Sequence, residues 1–194
     1  MRRKILLGLL AVCLLLPGCR REAAVPEDPP EPPAAAGTVQ DPPAPAAQPM
    51  MLDRLAVEIV VGWEEADRIL GSLEDLSRLL DDALGALNCT VEEPVVITIG
   101  TAGGITAQAL RDGGIDAAFL PEADFAELGD AAAGILESPA SGLTAAVSGA
   151  REELGPEFRR ILTEALTETE AGQTFLEACY PGAAFDAMTQ AASG

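Results

Sequence analysis

Hydrophobic positions along residues 52–194 follow two periods, and the changes between them mark out the elements. Residues 55–61, "LAVEIVV", form a nearly continuous apolar run, the pattern of a strand buried on both faces. Gly62-Trp63 closes that run, and the period then becomes helical. Ala66, Ile69, Leu70, Leu73, Leu76, Leu80, Ala83, Leu84 and Leu87 fall on one stripe, with Glu64, Glu65 and Asp67 in the first turn, where acids suit the helix dipole. Gly85 is the expected end of this helix. Residues 94–99, "PVVITI", predict a second buried strand. Next comes "GTAGGITAQALRDGG", in which Thr101 is the expected N-cap, Ile105, Ala109 and Leu110 the inner face, and Gly113-Gly114 the stop. Residues 115–120 predict a third strand, ended by Pro121. Strand, helix, strand, helix, strand implies parallel pairing with right-handed crossovers. A short helix ("PEADFAEL") follows, then apolar stretches at 134–137 and 143–147, a long amphipathic helix opened by Pro156, and a last helix over 174–180. The expected fold class is therefore α/β, a three-layer lobe around a mostly parallel central sheet, occupying residues 51–194 as a single domain.

The residues before this domain have a different character. "MRRKILLGLLAVCLLLPGC" has a basic start and an apolar run over residues 5–16, too short to span a membrane and the length of a signal-peptide core. Leu16-Pro17-Gly18-Cys19 resembles a bacterial lipobox, which makes residues 1–18 a lipoprotein signal peptide and Cys19 the acylated first residue; a plain secretory signal is the alternative. Residues 19–50 carry nine prolines among alanines and acids. Such a segment has too little to bury to offset its ordering entropy, and is expected to be a disordered, extended tether. Both signal types export the chain. The acylated cysteine followed by a spacer implies an extracytoplasmic domain attached to the cell membrane through its lipid anchor alone.

Charge narrows the chemistry. The chain has 31 acidic residues against 12 basic ones, a formal net charge of −19, and no histidine. Its single lysine, Lys4, lies in the signal segment, so the domain has arginine as its only cation. This surplus repels nucleic acid and anionic headgroups. Without histidine there is no Ser-His or Cys-His nucleophile and no ordinary zinc site; without lysine there is no Schiff base. We expect no enzyme, no metal and no cofactor. Two cysteines remain in the exported domain, Cys89 and Cys179, and are expected to pair as a disulfide; two separate buried thiols are the alternative. Closing a loop of about 90 residues would stabilise by roughly 4 kcal/mol.

Parallel sheets bind ligands beyond the carboxyl ends of their strands, where the winding direction reverses. The segments expected there are Gly62-Trp63, residues 100–105 and Leu120-Pro121. Gly100, Gly103 and Gly104 leave backbone N–H groups open beside a helix start, which reads either as an anion cradle or as a tight turn. Trp63, the only tryptophan, is a stacking platform or a core plug. Ser138, in "SPASG", adds a hydroxyl.

"ALRDGGIDAAFLPEADFAEL" resembles a segment of periplasmic substrate-binding proteins of the phosphate/phosphite/phosphonate ABC-transporter type. "LAVEIVVGWEEADRILGSLEDLSRLLDDALG" is similar to that family's opening strand, aromatic loop and long helix. "ILESPASGLTAAVSGAREELGPEFRRILTEALTE" is similar to its serine-proline turn, return strand and proline-led helix. The resemblance implies a type 2 periplasmic-binding-protein fold and a small anionic or zwitterionic ligand, phosphate-like or phosphonate-like. The candidate site remains the one expected at the strand ends, Trp63, Thr101, Gly103, Gly104, Ile105, Pro121 and Ser138, since the family's Ser/Thr-rich gripping motif is absent; the implied partner is an ABC permease or a second lobe. The chain departs from the family in one large respect. Only about 20 residues separate the third strand from the return segment, so the family's second lobe is missing. A degenerate single-lobe interaction or scaffold lipoprotein without a ligand is the alternative function.

Overall fold

A computed structural model describes residues 49–188. Cys19 and the expected signal peptide and tether, up to residue 48, lie outside the described residues. The first half runs β1 (Met50–Leu52), β2 (Ala56–Val60), α1 (Trp63–Leu70), α2 (Leu73–Gly85), β3 (Cys89–Val91), β4 (Val96–Gly100), α3 (Gly103–Arg111) and β5 (Ala117–Pro121). The second half runs α4 (Glu122–Ala126), β6 (Ala132–Ser138), β7 (Leu143–Ser148), α5 (Pro156–Glu168), α6 (Glu170–Cys179) and β8 (Asp186–Ala187), with short 3-10 turns at Gly129–Ala131 and Glu152–Leu154.

Six strands form one sheet in the order β4-β2-β5-β7-β6-β8, and β1 pairs with β3 in a separate parallel ribbon. The sheet's sides are defined by alternation along its strands. Val57 and Ile59 of β2, Ala117 and Phe119 of β5, and Ala145 and Val147 of β7 share one core with Leu80 and Leu84 of α2, Phe158 and Leu162 of α5, and Phe175 of α6. Val60, Ala118, Leu120 and Ala146 face the other way and pack with Ala107 and Leu110 of α3. The α/β class and the helix layers on both faces thus match the pattern of apolar runs.

The sheet is mixed rather than mostly parallel. β4, β2 and β5 are parallel, but β5-β7, β7-β6 and β6-β8 pair antiparallel. The reason is the connection: residues 139–142 join β6 to β7, and so short a link can close a hairpin but not a crossover. Gly142 supplies the left-handed turn residue, φ 61°.

Several local expectations are corrected. The helix predicted from Glu64 is two helices, broken at Gly71-Ser72, where the Ser72 N–H donates to the Ile69 carbonyl. Leu70, placed on the buried stripe by its spacing, is consequently 54% exposed. Gly85 is the last residue of α2, and the left-handed position after it belongs to Asn88, φ 58°. Thr101 is not the cap of α3: Ala102 occupies the N-cap position, with no side-chain cap bond. The inner face of α3 is Thr106, Ala107 and Leu110, whereas Ile105 is 74% exposed. Gly113 does end the unit, at φ 70°. The last helix starts at Glu170, earlier than its apolar stripe suggested, because the Thr169 Oγ1 accepts from the Gly172 N–H and caps it.

Cys89 and Cys179 are free, buried thiols, and the expected disulfide is not formed. Each occupies an apolar position in the same core, Cys89 on the inward side of β3 and Cys179 at the end of α6. There they pack as small hydrophobes.

One ion pair closes the end of the sheet where β2 and β5 begin. Asp116, 1% exposed, accepts from the Ala56 N–H (2.8 Å) and from the Arg151 Nη1 (3.0 Å). Arg151 also pairs with Asp53, and its Nη1 donates to the Arg54 carbonyl at 3.4 Å. The clamp ties the start of β2, the start of β5 and the segment after β7. Burial pulls the guanidinium pKa down, but the hydrogen bonds and charges of Asp116 and Asp53 outweigh it and leave the pKa raised. Replacing Arg151→Met strands a buried carboxylate and is expected to cost roughly 3 kcal/mol. Chemical denaturation of the wild type, Arg151→Met and Arg151→Met/Asp116→Asn reads this directly, with the double variant regaining much of the loss.

Candidate functional site

The carboxyl ends of β2, β4, β5 and β6 lie along one edge of the sheet, because β6 runs parallel in direction to β5 with β7 between them. The Val61 N–H donates to the Gly100 carbonyl at 3.1 Å, holding the loops after β2 and β4 side by side. Pro121 and Ser138 are both in register with Leu143, and the Glu122 N–H donates to the Gly142 carbonyl at 2.8 Å. Trp63, Thr101, Gly103, Gly104, Ile105, Pro121 and Ser138 are therefore all at this edge, as expected.

They do not converge on one pocket. Trp63 is the first residue of α1, the helix whose Ile69 enters the α2/α5/α6 core, and it is 76% exposed. It is not a core plug. Ile105, on α3, is 74% exposed and shares a cleft with Thr101 that Trp63 does not line. Ser138 is fully buried, and its Oγ has no hydrogen-bond partner among the described residues.

What does form is an open cleft of about 240 Å³ between the ends of β2 and β4 and the start of α3. Glu58, Ile99, Gly100, Thr101, Ile105 and Thr106 line it. The topology places it there: the chain leaves β2 through α1 and α2 toward one side of the sheet, and leaves β4 through α3 toward the other. Helices that diverge from neighbouring strands open a crevice between their strand ends.

The electrostatics of this edge are acidic. Glu58 is the one charged side chain lining the cleft; its Oε1 accepts from the Thr106 hydroxyl and its Oε2 from the Thr98 hydroxyl at 3.4 Å. At the start of α3 the Asp124 carboxylate lies against Gly103, so that a Cβ on Gly103 would run into it and stand 3.0 Å from the Pro121 ring. The start of α3, read from its glycines as either an anion cradle or a tight turn, thus faces a carboxylate of the chain itself, which repels a free anion.

The base of the edge is fixed by Tyr180, whose hydroxyl donates to the Val60 carbonyl at 3.2 Å. Its ring centroid lies 5.6 Å from that of Phe119 and 5.9 Å from that of Phe185. Sequence pattern missed Glu58, Thr106, Asp124 and Tyr180. Only Glu58 carried a signal, as the single charge inside the otherwise apolar "LAVEIVV".

No protein-family model, curated protein or solved structure matches the chain.

The buried acids of this core predict an alkaline limit to stability. Burial pushes the Cys89 thiol from 9.0 up to about 11, with the Asp81 charge adding to it. Burial likewise pushes Cys179 up to about 12, against the pull of Arg68. The Tyr180 phenol is raised well above 10.0 by burial and by Cys179, against its bond to Val60. In each case the folded protein keeps a proton that the unfolded chain releases. The stability is complete below pH 9 and declines as pH rises through the interval to the folded values. Thermal melts should show the melting temperature falling from about pH 9. Cys89 and Cys179 joined in a disulfide would remove the decline between pH 9 and 10, before the unfolded-state phenol titrates.

Proposed function

We propose that the chain is a membrane-tethered, extracytoplasmic binding module built like one lobe of a solute-binding protein, with the cleft between β2 and β4 as its solute site. The observation that carries this reading is the cleft at the divergence of α1 and α3, the place where open α/β sheets bind ligands. The β4-β2-β5 core with helices on both faces is compatible with a periplasmic-binding-protein lobe. Glu58 in the lining, with Asp124 nearby against Gly103, disfavours a purely anionic ligand and favours a zwitterion. An open half-site of this size binds weakly alone, or gains its second wall from another chain.

A scaffold function has its own support. Trp63 and Ile105 are exposed large hydrophobics at this same edge, and exposed tryptophan is a common anchor of protein interfaces.

A thermal-shift screen with phosphate, sulfate, alkylphosphonates and aminophosphonates separates the two. A solute binder is stabilised by RT ln(1 + [L]/Kd), about 2.7 kcal/mol at a hundredfold excess over Kd, whereas a scaffold shows no shift with any of them at millimolar concentration. The tether has a separate test. Cys19→Ala should abolish incorporation of labelled fatty acid and move the chain from the membrane to the soluble fraction; unchanged labelling would sink the anchor assignment.

A further inference from the structure

Glu58 is an unusual residue for its position. It sits in β2, between neighbours β4 and β5 on both sides, in a run otherwise made of apolar residues. It shares the α3-facing side of the sheet with Val60, and it stands directly opposite Thr98 in the β2-β4 register. A half-buried carboxylate in a sheet interior is costly unless a cation or several donors meet it. No guanidinium lies within 4.0 Å of Glu58 among the described residues; every ion pair there involves Arg78, Arg151 or Arg160. Its partners are two neutral hydroxyls, the close one from Thr106 on Oε1 and the longer one from Thr98 on Oε2. A carboxylate offers about four acceptor positions, so Oε2 keeps capacity to accept from a group in the cleft.

The surroundings preserve that opening. Gly100 is the residue beside the carboxylate on β4; a Cβ there would stand 2.5 Å from the Glu58 Oε1 and 2.6 Å from the Thr106 Oγ1. Glycine therefore lets Glu58 and Thr106 meet at the floor of the cleft. Ile99 and Ile105 supply apolar wall, and no basic side chain competes for the acid. The cleft, about 240 Å³, is smaller than most drug-sized pockets and is the right scale for a short amine. The net charge of −19 raises the local concentration of cations around the chain.

We infer that the cleft recognises a primary ammonium group, with the Glu58 carboxylate as its counter-ion and Thr106 as the residue that orients that carboxylate. This rests on reading the strand-end edge as a solute site, and it names the class of solute: a short amine, either a zwitterion or a simple cation.

Three near-isosteric probes test it on the full-length chain: ethylamine carries the ammonium alone, β-alanine the ammonium and a carboxylate, and propionate the carboxylate alone. Titration by calorimetry and thermal shift should detect ethylamine and β-alanine, and should detect propionate at least tenfold more weakly or not at all. Glu58→Gln should weaken both amines by about tenfold or more, the loss of one charge-assisted hydrogen bond. Glu58→Asp should weaken them less, and the far-ultraviolet circular dichroism of both variants should match the wild type. The probe series in the wild type stands without the variants, should either fail to fold. Propionate binding as well as β-alanine, or amine affinity unchanged in Glu58→Gln, would overturn the inference. If phosphate or an alkylphosphonate binds while ethylamine and β-alanine do not, the ammonium assignment falls and the solute-site reading stands. If none of these compounds binds, both fall.

Discussion

Burial of the central strands on both faces is the constraint from which the rest of this structure follows. β2, β5 and β7 are covered by α2, α5 and α6 on one side and by α3 on the other, so nearly every side chain on them must be apolar. Polar groups survive in that layer only where the sheet ends or where a partner is built for them. At the end where β2 and β5 begin, Asp116 is met by a backbone N–H and by Arg151. At the opposite end, where the strands finish, Glu58 is met by Thr106 and opens to a cleft. The two carboxylates illustrate two solutions to the same desolvation problem. The first is neutralised internally and holds the fold together. The second is only partly satisfied and faces outward.

Charge placement bears on the candidate anion cradle, the alternative to a tight turn at the start of α3. Its glycines are present and its helix start is where it should be, yet Asp124 comes from the next loop to lie against Gly103. A helix N-terminus stabilises whichever negative group reaches it first, and a carboxylate tethered in the same chain has a large advantage in effective concentration over a free anion. The acidic composition therefore reaches into the start of α3 itself, in keeping with the proposed preference for ammonium over an anion.

Much of the architecture was legible in residue order. The apolar runs of β2 and β5 announced strands covered on both sides, and the stripe from Leu73 to Leu84 announced α2; the run of β4 announced a strand but not its place at the sheet edge, where Val96 is 53% exposed. Gly113 announced the turn between α3 and β5, and Pro156 the start of α5. The failures share one cause, which is that spacing alone carries no information about neighbours. The α1-α2 break at Gly71-Ser72 turned Leu70 outward without interrupting the apolar spacing. Ile105 fits a helical stripe by number, but the sheet meets α3 on the face of Thr106, Ala107 and Leu110. The three-residue strands β1 and β3 are too short to show a period, and each exists because the other is there to pair with it. The two cysteines were paired by arithmetic, whereas packing gives each an apolar place of its own.

The sequence by itself determined the α/β class, the position of the main elements, the acidic character and the absence of histidine and lysine chemistry from the domain. Those properties depend on composition and on local periodicity, which a linear chain carries in full. Tertiary structure decided the strand order, the antiparallel second half of the sheet, and the meeting of Glu58 with Thr106, 48 positions later. It also decided that Trp63 would be exposed and that Asp124 would lie against the start of α3. Each of these is a contact between residues distant in the chain. Their energies depend on which faces are brought together, and the hydrophobic pattern of any one segment is the same whichever neighbour it meets.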